Sequence, residues 1–182
     1  MYQNIYTTLV EMLTDRNFDT SNLQDTSLIN TKEHINFELK HKLTNQTLKV
    51  HYHDDGKIGI NHLKCIMNNL NETKHVLIIH KDDLTSFAKQ YILSNNEICF
   101  ETYFPKELVN NITKHELVPK HVCLSHTEKI QFLADFKIKE INVPRILKSD
   151  PIARYYGCTR GTLMKIYRND DNINSITYRI VV

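Results

Sequence analysis

Two histidines separated by one residue, His51 and His53, carry the first chemistry that the 182-residue sequence suggests. On a strand they point to one side, and Asp54, Asp55 and His62 follow closely in sequence as further metal ligands. Alternate histidines share an ion only when the fold fixes a third ligand, and H-x-H arises easily by chance among ten histidines. No metal is therefore expected. A second set is Asp…Glu-x-Lys, in which carboxylates hold Mg²⁺ and the lysine stabilises developing charge during phosphodiester cleavage. It occurs twice, as Asp54/Asp55 followed by Glu72-Thr73-Lys74 and as Asp25 followed by Glu38-Leu39-Lys40. Two competing matches make the pattern loose, and Glu72 precedes its expected strand rather than lying within it. G-x-S-x-G, a P-loop and a cysteine–histidine nucleophile are absent, and four scattered glycines build no phosphate-cradling loop. The expectation is a chain with no catalytic residues and no cofactor. A stand-alone Mg²⁺-dependent nuclease or nucleic-acid-binding protein is the alternative.

The elements that would position these residues follow from periodicity. Ile5, Leu9, Met12 and Leu13 share one helical face, so Tyr2 to Arg16 reads as an amphipathic helix that Asn17 ends in a left-handed conformation. Ser21 caps a short second helix through Leu28 and Ile29. The period then becomes two: Ile35, Phe37, Leu39 and Leu48, Val50, Tyr52 predict an antiparallel hairpin turning at Thr44–Thr47. A helix over 60–69, the strand "HVLIIH", a helix over 84–93 and a strand over 97–104 follow. Strand–helix–strand order predicts a parallel βαβ unit, and hence an α/β domain on a mixed sheet. After "TKHELVPKH" the pattern restarts as a small α+β unit. Ser125 and Glu128 form a capping box for a helix burying Ile130, Leu133 and Phe136. Asp150-Pro151 opens a very short helix ending at Gly157, and strands over 163–167 and 176–182 pair around an Asn/Asp loop.

Composition narrows the partners. The chain is 24% charged and its longest apolar runs, such as Val76 to Ile79, are too short to span a bilayer, so no membrane is expected. No secretory signal is read at the N-terminus, and four cysteines without a CxxC pair predict free thiols in a reducing compartment. Residues 1–113 hold 11 Lys+Arg against 14 Asp+Glu, a net −3, whereas residues 114–182 hold 12 against 7, a net +5. The second part reaches the charge of a nucleic-acid-binding domain and the first does not, and a solvated basic face accounts for that charge equally well.

The richest stretch is "SDPIARYYGCTRGTLMKIYR", Ser149 to Arg168. Pro144 and Pro151 stiffen the approach to its short helix and lower the entropy lost on association. Arg145, Arg154 and Arg160 offer planar forks for carboxylates or carbonyls, and Tyr155 and Tyr156 supply large rigid area. With Asp150 and Gly161 these residues make the expected assembly interface with another protein.

"HELVPKH" (115–121), "VPRILKSDPIARYYGCTRGTLMKIYR" (143–168) and "ITYRIVV" (176–182), in this order and spacing, resemble the fifth-largest subunit shared by the eukaryotic nuclear RNA polymerases. The C-terminal domain of that family corresponds to a small polymerase subunit of archaea, and large DNA viruses encode versions too. The first part resembles the family more weakly. "YTTLVEMLTDRNFD" looks like its opening helix, with Asn17 where a glycine commonly stands. "LTSFAKQYIL" looks like its Thr-Pro-Ser-Ala-Lys helix start, with Ser86 and Phe87 in place of the proline and serine. "NDDNINS" replaces the family's usual Ser-Glu-Thr run after Arg168. The resemblance implies a non-catalytic polymerase subunit, with a jaw domain over 1–113 and an assembly domain over 114–182. The jaw would have an inactive, restriction-endonuclease-like topology. It would lie beside downstream duplex DNA, with Thr85, Ser86 and Lys89 nearest it, while the assembly domain docks on the largest subunit and other polymerase subunits. Localisation would follow the polymerase: the nucleus, or a cytoplasmic virus factory or virion for a viral member.

Overall fold

The computed structural model describes residues 2–23, 35–44, 46–68, 70, 73–95, 97–170 and 173–182. The chain divides into two compact units, Met1–Asn110 and Asn111–Val182. The division falls three residues before the expected boundary because Asn111 opens the second unit, capping a 3₁₀ turn (Ile112–Lys114) by accepting from the Thr113 amide.

The first unit is a three-layer α/β arrangement. Helix α1 (Tyr2–Asp15) buries Ile5, Leu9, Met12 and Leu13 completely, and Asn17 ends it at φ 63°. Strands β1 (Phe37–Lys40) and β2 (Thr47–His53) form the expected antiparallel hairpin, with Phe37 opposite Val50 and Leu39 opposite Leu48. Strand β3 (His75–His80) runs parallel to β2, and β4 (Cys99–Tyr103) parallel to β3, so the order is β1-β2-β3-β4. Helices α2 (Ile60–Asn68) and α3 (Ser86–Ser94) make the two crossovers. Alternation along the strands then assigns the faces. Tyr52 and Phe37 meet α1 through the rings of Tyr2 and Tyr6, at 5.6 and 5.9 Å. Val76 and Ile78 point the other way and join Ile58, Leu63, Ile66, Leu84 and Ala88 in a core beneath α2 and α3. Strand β3 is thus apolar on both faces, which explains its unbroken "VLII". The short helix expected through Leu28 and Ile29 lies outside the described residues.

The second unit is again a sheet with a helix on each face. Its strands are β5 (Lys120–Cys123), β6 (Arg145–Ile146), β7 (Leu163–Asp170) and β8 (Ile173–Val181), in the order β5-β7-β8-β6. The β7–β8 hairpin extends through Asn169–Asn174 and Asp170–Ile173 pairs, so most of the expected Asn/Asp loop is strand. Helix α4 (His126–Asp135) carries the reciprocal Ser125–Glu128 capping box. It covers Val143, Leu163 and Ile180 with Phe132 and Leu133, whereas Ile130 and Phe136 are 55% and 61% exposed. The expected burial of those two fails because the helix ends at Asp135 and its core face runs through Phe132 and Leu133. Helix α5 (Pro151–Tyr155) closes the opposite face over Ile146, Cys158, Met164 and Val181. Among the described residues no helix is long and apolar enough to cross a membrane.

Candidate assembly and DNA-facing surfaces

Around α5 the sequence builds a rigid, cation-rimmed corner. Asp150 caps the helix, accepting from the Ile152 amide at 2.9 Å, and Pro151 takes the first turn, where no amide hydrogen is needed. Gly157 and Gly161 adopt φ of 62° and 85°, which turn the chain from α5 into β7. The Gly161 carbonyl accepts from Lys129 Nζ at 2.8 Å, and Lys129 also pairs with Glu140 at 2.7 Å, tying this turn to α4. Pro144, Arg145, Lys148 and Arg160 are exposed and Arg154 is half-buried. Tyr155 is a correction: it is 4% exposed, and its hydroxyl accepts from Asn111 Nδ2 at 3.1 Å. It packs edge-on against Tyr156, which itself leans on the Ile146–Cys158 core. Tyr155 therefore holds α5 in place rather than furnishing contact area, while Tyr156 is half-buried.

Two apolar surface residues escape the sequence reading. Leu147 is 63% exposed between Arg145 and Lys148, because its strand neighbour Ile146 takes the inward position beside Val181. Period-two alternation through "RIL" contains that signal. Leu117 is 84% exposed and, with Glu116, Val118, Pro119 and Lys120, forms an open groove against Tyr167 and Arg168. Beside it, His121 Nδ1 donates to the Pro119 carbonyl at 2.6 Å. Burial, with Arg168 and Arg179 nearby, lowers its pKa, while Asp150 and the Pro119 carbonyl oppose the shift.

In the first unit, Thr85 caps α3, accepting from the Ala88 amide at 3.2 Å, and Ser86 and Phe87 are exposed at the helix start. Lys89 points back to Asp83, Nζ to Oδ2 2.6 Å. That hydrogen bond holds the Asp83 carboxyl below its usual range. Lys89 reaches a phosphate only by leaving Asp83, an exchange that an exposed ion pair permits because such pairs are worth little.

Two described carboxylates of the nuclease pattern have partners of their own. Glu38 accepts from Thr73 Oγ1 at 2.6 Å, and Asp54 faces Tyr2 and Lys81, while Glu72 and Asp25 lie outside the described residues. Glu101, on the α1 side of the sheet, is a largely buried carboxylate, 17% exposed. It grips Arg16 with both oxygens at 2.9 Å, bonds His75 at 2.7 Å, and lies 3.3 Å from the Tyr103 hydroxyl. Burial would raise its pKa, but Arg16 and His75 overcome that and hold it at about 2. Burial likewise works against the charged form of His75, yet Cys99 and Glu101 lift it to about 9. This is a charge cluster that fastens α1 to β3 and β4.

On the opposite face of the sheet the structure does gather His51, His53 and His62, from β2 and α2.

A family model described as "RNA polymerase Rpb5, C-terminal domain" matches residues 110–181, which is nearly the whole second unit. The DNA-directed RNA polymerases I, II, and III subunit rpabc1 of Dictyostelium discoideum is 31% identical over 185 residues, spanning 96% of this chain and 94% of that protein. The subunits named RPABC1 of Caenorhabditis elegans and Caenorhabditis briggsae are each 39% identical over 137 residues. Those two matches cover 73% of this chain and 65% of each worm protein.

Proposed function

The chain belongs to the Rpb5 family of subunits shared by RNA polymerases I, II and III, and from that premise we propose how its two units serve a multi-subunit DNA-directed RNA polymerase. The second unit docks on the largest subunit. The supporting observation is the cation-rimmed corner of Pro144, Arg145, Leu147, Lys148 and Arg160, fixed by the Asp150-Pro151 cap and by the Gly157 and Gly161 turns. A partner that covers Leu147 and answers the arginines gains both apolar burial and charge-assisted hydrogen bonds. The Leu117 groove offers the same combination beside Arg168. Preorganisation matters here, because a corner already rigid loses little entropy on docking.

The first unit serves as a jaw beside downstream duplex DNA, with Thr85, Ser86 and Lys89 nearest the phosphates. Its mixed sheet with parallel β2, β3 and β4 suits the restriction-endonuclease-like topology. The DNA contact is weak in the free protein, because residues 1–113 are net negative and phosphate contacts dominate affinity. Localisation follows the polymerase, so a cellular member works in the nucleus.

Native purification of the tagged chain from its own cells tests the proposal. Stoichiometric recovery with the polymerase, lost on reversing charge at the α5 corner, is the expected result. Recovery as a free protein that cleaves DNA with Mg²⁺ would overturn it.

A further inference from the structure

We propose that His51, His53 and His62 form a binding site for one first-row divalent transition-metal ion, zinc foremost. His51 and His53 occupy alternate positions of β2, on the face opposite Leu48, Val50 and Tyr52. Helix α2, the crossover to β3, covers that face and brings His62 over the pair. The His53 and His62 rings lie 4.2 Å apart between centroids, and His51 lies 6.0 Å from His62 and 6.5 Å from His53. One ring nitrogen from each residue falls within 4.8 Å of the others. A tetrahedral ion with Zn–N bonds of about 2.0–2.1 Å needs nitrogens about 3.3 Å apart, so the rings must close on the ion as it binds.

Ordinary packing leaves one fact unexplained. His53 is 7% exposed, and its Nε2 has no hydrogen-bond partner among the described residues. Buried polar atoms are normally satisfied, and a ligating nitrogen is. Two neighbouring groups are engaged elsewhere. His80, opposite His53 on β3, bonds the Asp82 carbonyl and packs on Phe104. Asp54 faces Tyr2 and Lys81.

The donor chemistry selects the ion. Three imidazoles with no thiolate or carboxylate suit zinc, copper or nickel and disfavour magnesium and calcium. With three protein ligands the ion keeps one position for water, and it would clamp α2 onto β2.

Isothermal titration of the purified full-length protein with Zn²⁺, and absorption spectroscopy with Co²⁺ in its place, test the site. Expected are one equivalent of Zn²⁺ bound and the visible spectrum of tetrahedral Co²⁺. His62→Ala and His51→Ala should each weaken binding by at least about tenfold, the lower bound for losing even an outer-shell partner. His126→Ala, an exposed histidine elsewhere, should change nothing. Alanine suits a helix position, so His62→Ala should fold, and far-UV circular dichroism checks it. No bound equivalent in the wild type would overturn the proposal, as would binding that survives both His62→Ala and His51→Ala.

Discussion

Replacing Glu101 by leucine leaves Arg16 buried without the carboxylate that grips it at 2.9 Å through both oxygens. The guanidinium side chain is 4% exposed and cannot shed its proton, so the structure must bear the charge or open to hydrate it. Removing one partner of a buried pair costs about 3–5 kcal/mol. The lower end applies here, because Glu101 is 17% exposed, His75 can turn neutral, and Tyr103 Oη still accepts from Arg16 at 3.1 Å. Hydrogen exchange of the full chain reads this cost within the first unit. Val76 to Ile79 are completely buried on a strand paired on both sides, so their amides exchange only when that unit unfolds. A loss of about 3 kcal/mol accelerates them by roughly a hundredfold or more. The double variant Arg16→Met/Glu101→Leu should recover most of the loss, since apolar replacement of a buried pair is often neutral. Acceleration below about fivefold in the single variant, or none recovered in the double, would refute the reasoning.

The same cluster sets a pH window. Glu101 is depressed from 4.5 to about 2, so its contribution is present above pH 4.5 and fades as pH falls toward 2. His75 is raised from 6.5 to about 9, so its contribution is complete below pH 6.5 and lost as pH rises through 9; exchange at β3 should show both slopes, with His75→Gln abolishing the alkaline one. Arg145→Glu with Arg160→Glu, both at exposed positions, should cut incorporation into polymerase by about 2 kcal/mol or more, near thirtyfold, without altering circular dichroism. Pull-down competition against wild type measures it. Residues 111–182 expressed alone should fold with marginal stability and still join the polymerase, because both faces of their sheet carry a core; urea melts and co-purification decide this. Asp150→Ala should cost about 1 kcal/mol of that unit's stability in the same melts, through the lost cap on α5.

What could be read from sequence depended on how local the cause is. The β1–β2 register was legible because Phe37, Leu39, Leu48 and Val50 alternate and one buried face fixes the pairing. The Ser125–Glu128 box and the Asp150-Pro151 start were legible because each cap is closed within three residues. Strands β5 and β6 were missed: with four and two residues they show no period, and only pairing with β7 and β8 makes them strands. Tyr155 and Tyr156 could not be ranked in advance, since neighbouring helix positions differ only by which side the core lies on. Of the histidine cluster, H-x-H was visible. His62 could be named only as one of several candidates nearby in sequence, because a crossover helix, rather than a repeat in the sequence, places it over β2.

Strand order has a consequence for how the chain is made. In the first unit the sheet order β1-β2-β3-β4 is also the order of synthesis, so each strand leaving the ribosome finds its partner already waiting at the growing edge. The second unit works differently. Strand β6 has no neighbour until β8 has been translated, and β8 in turn joins β7, which pairs with β5. Until then Ile146 lacks Val181, and the Arg145–Lys148 corner lacks its support. The first unit can therefore mature one strand at a time during translation, whereas the α5 corner stays incomplete until the last strand, β8, has been made.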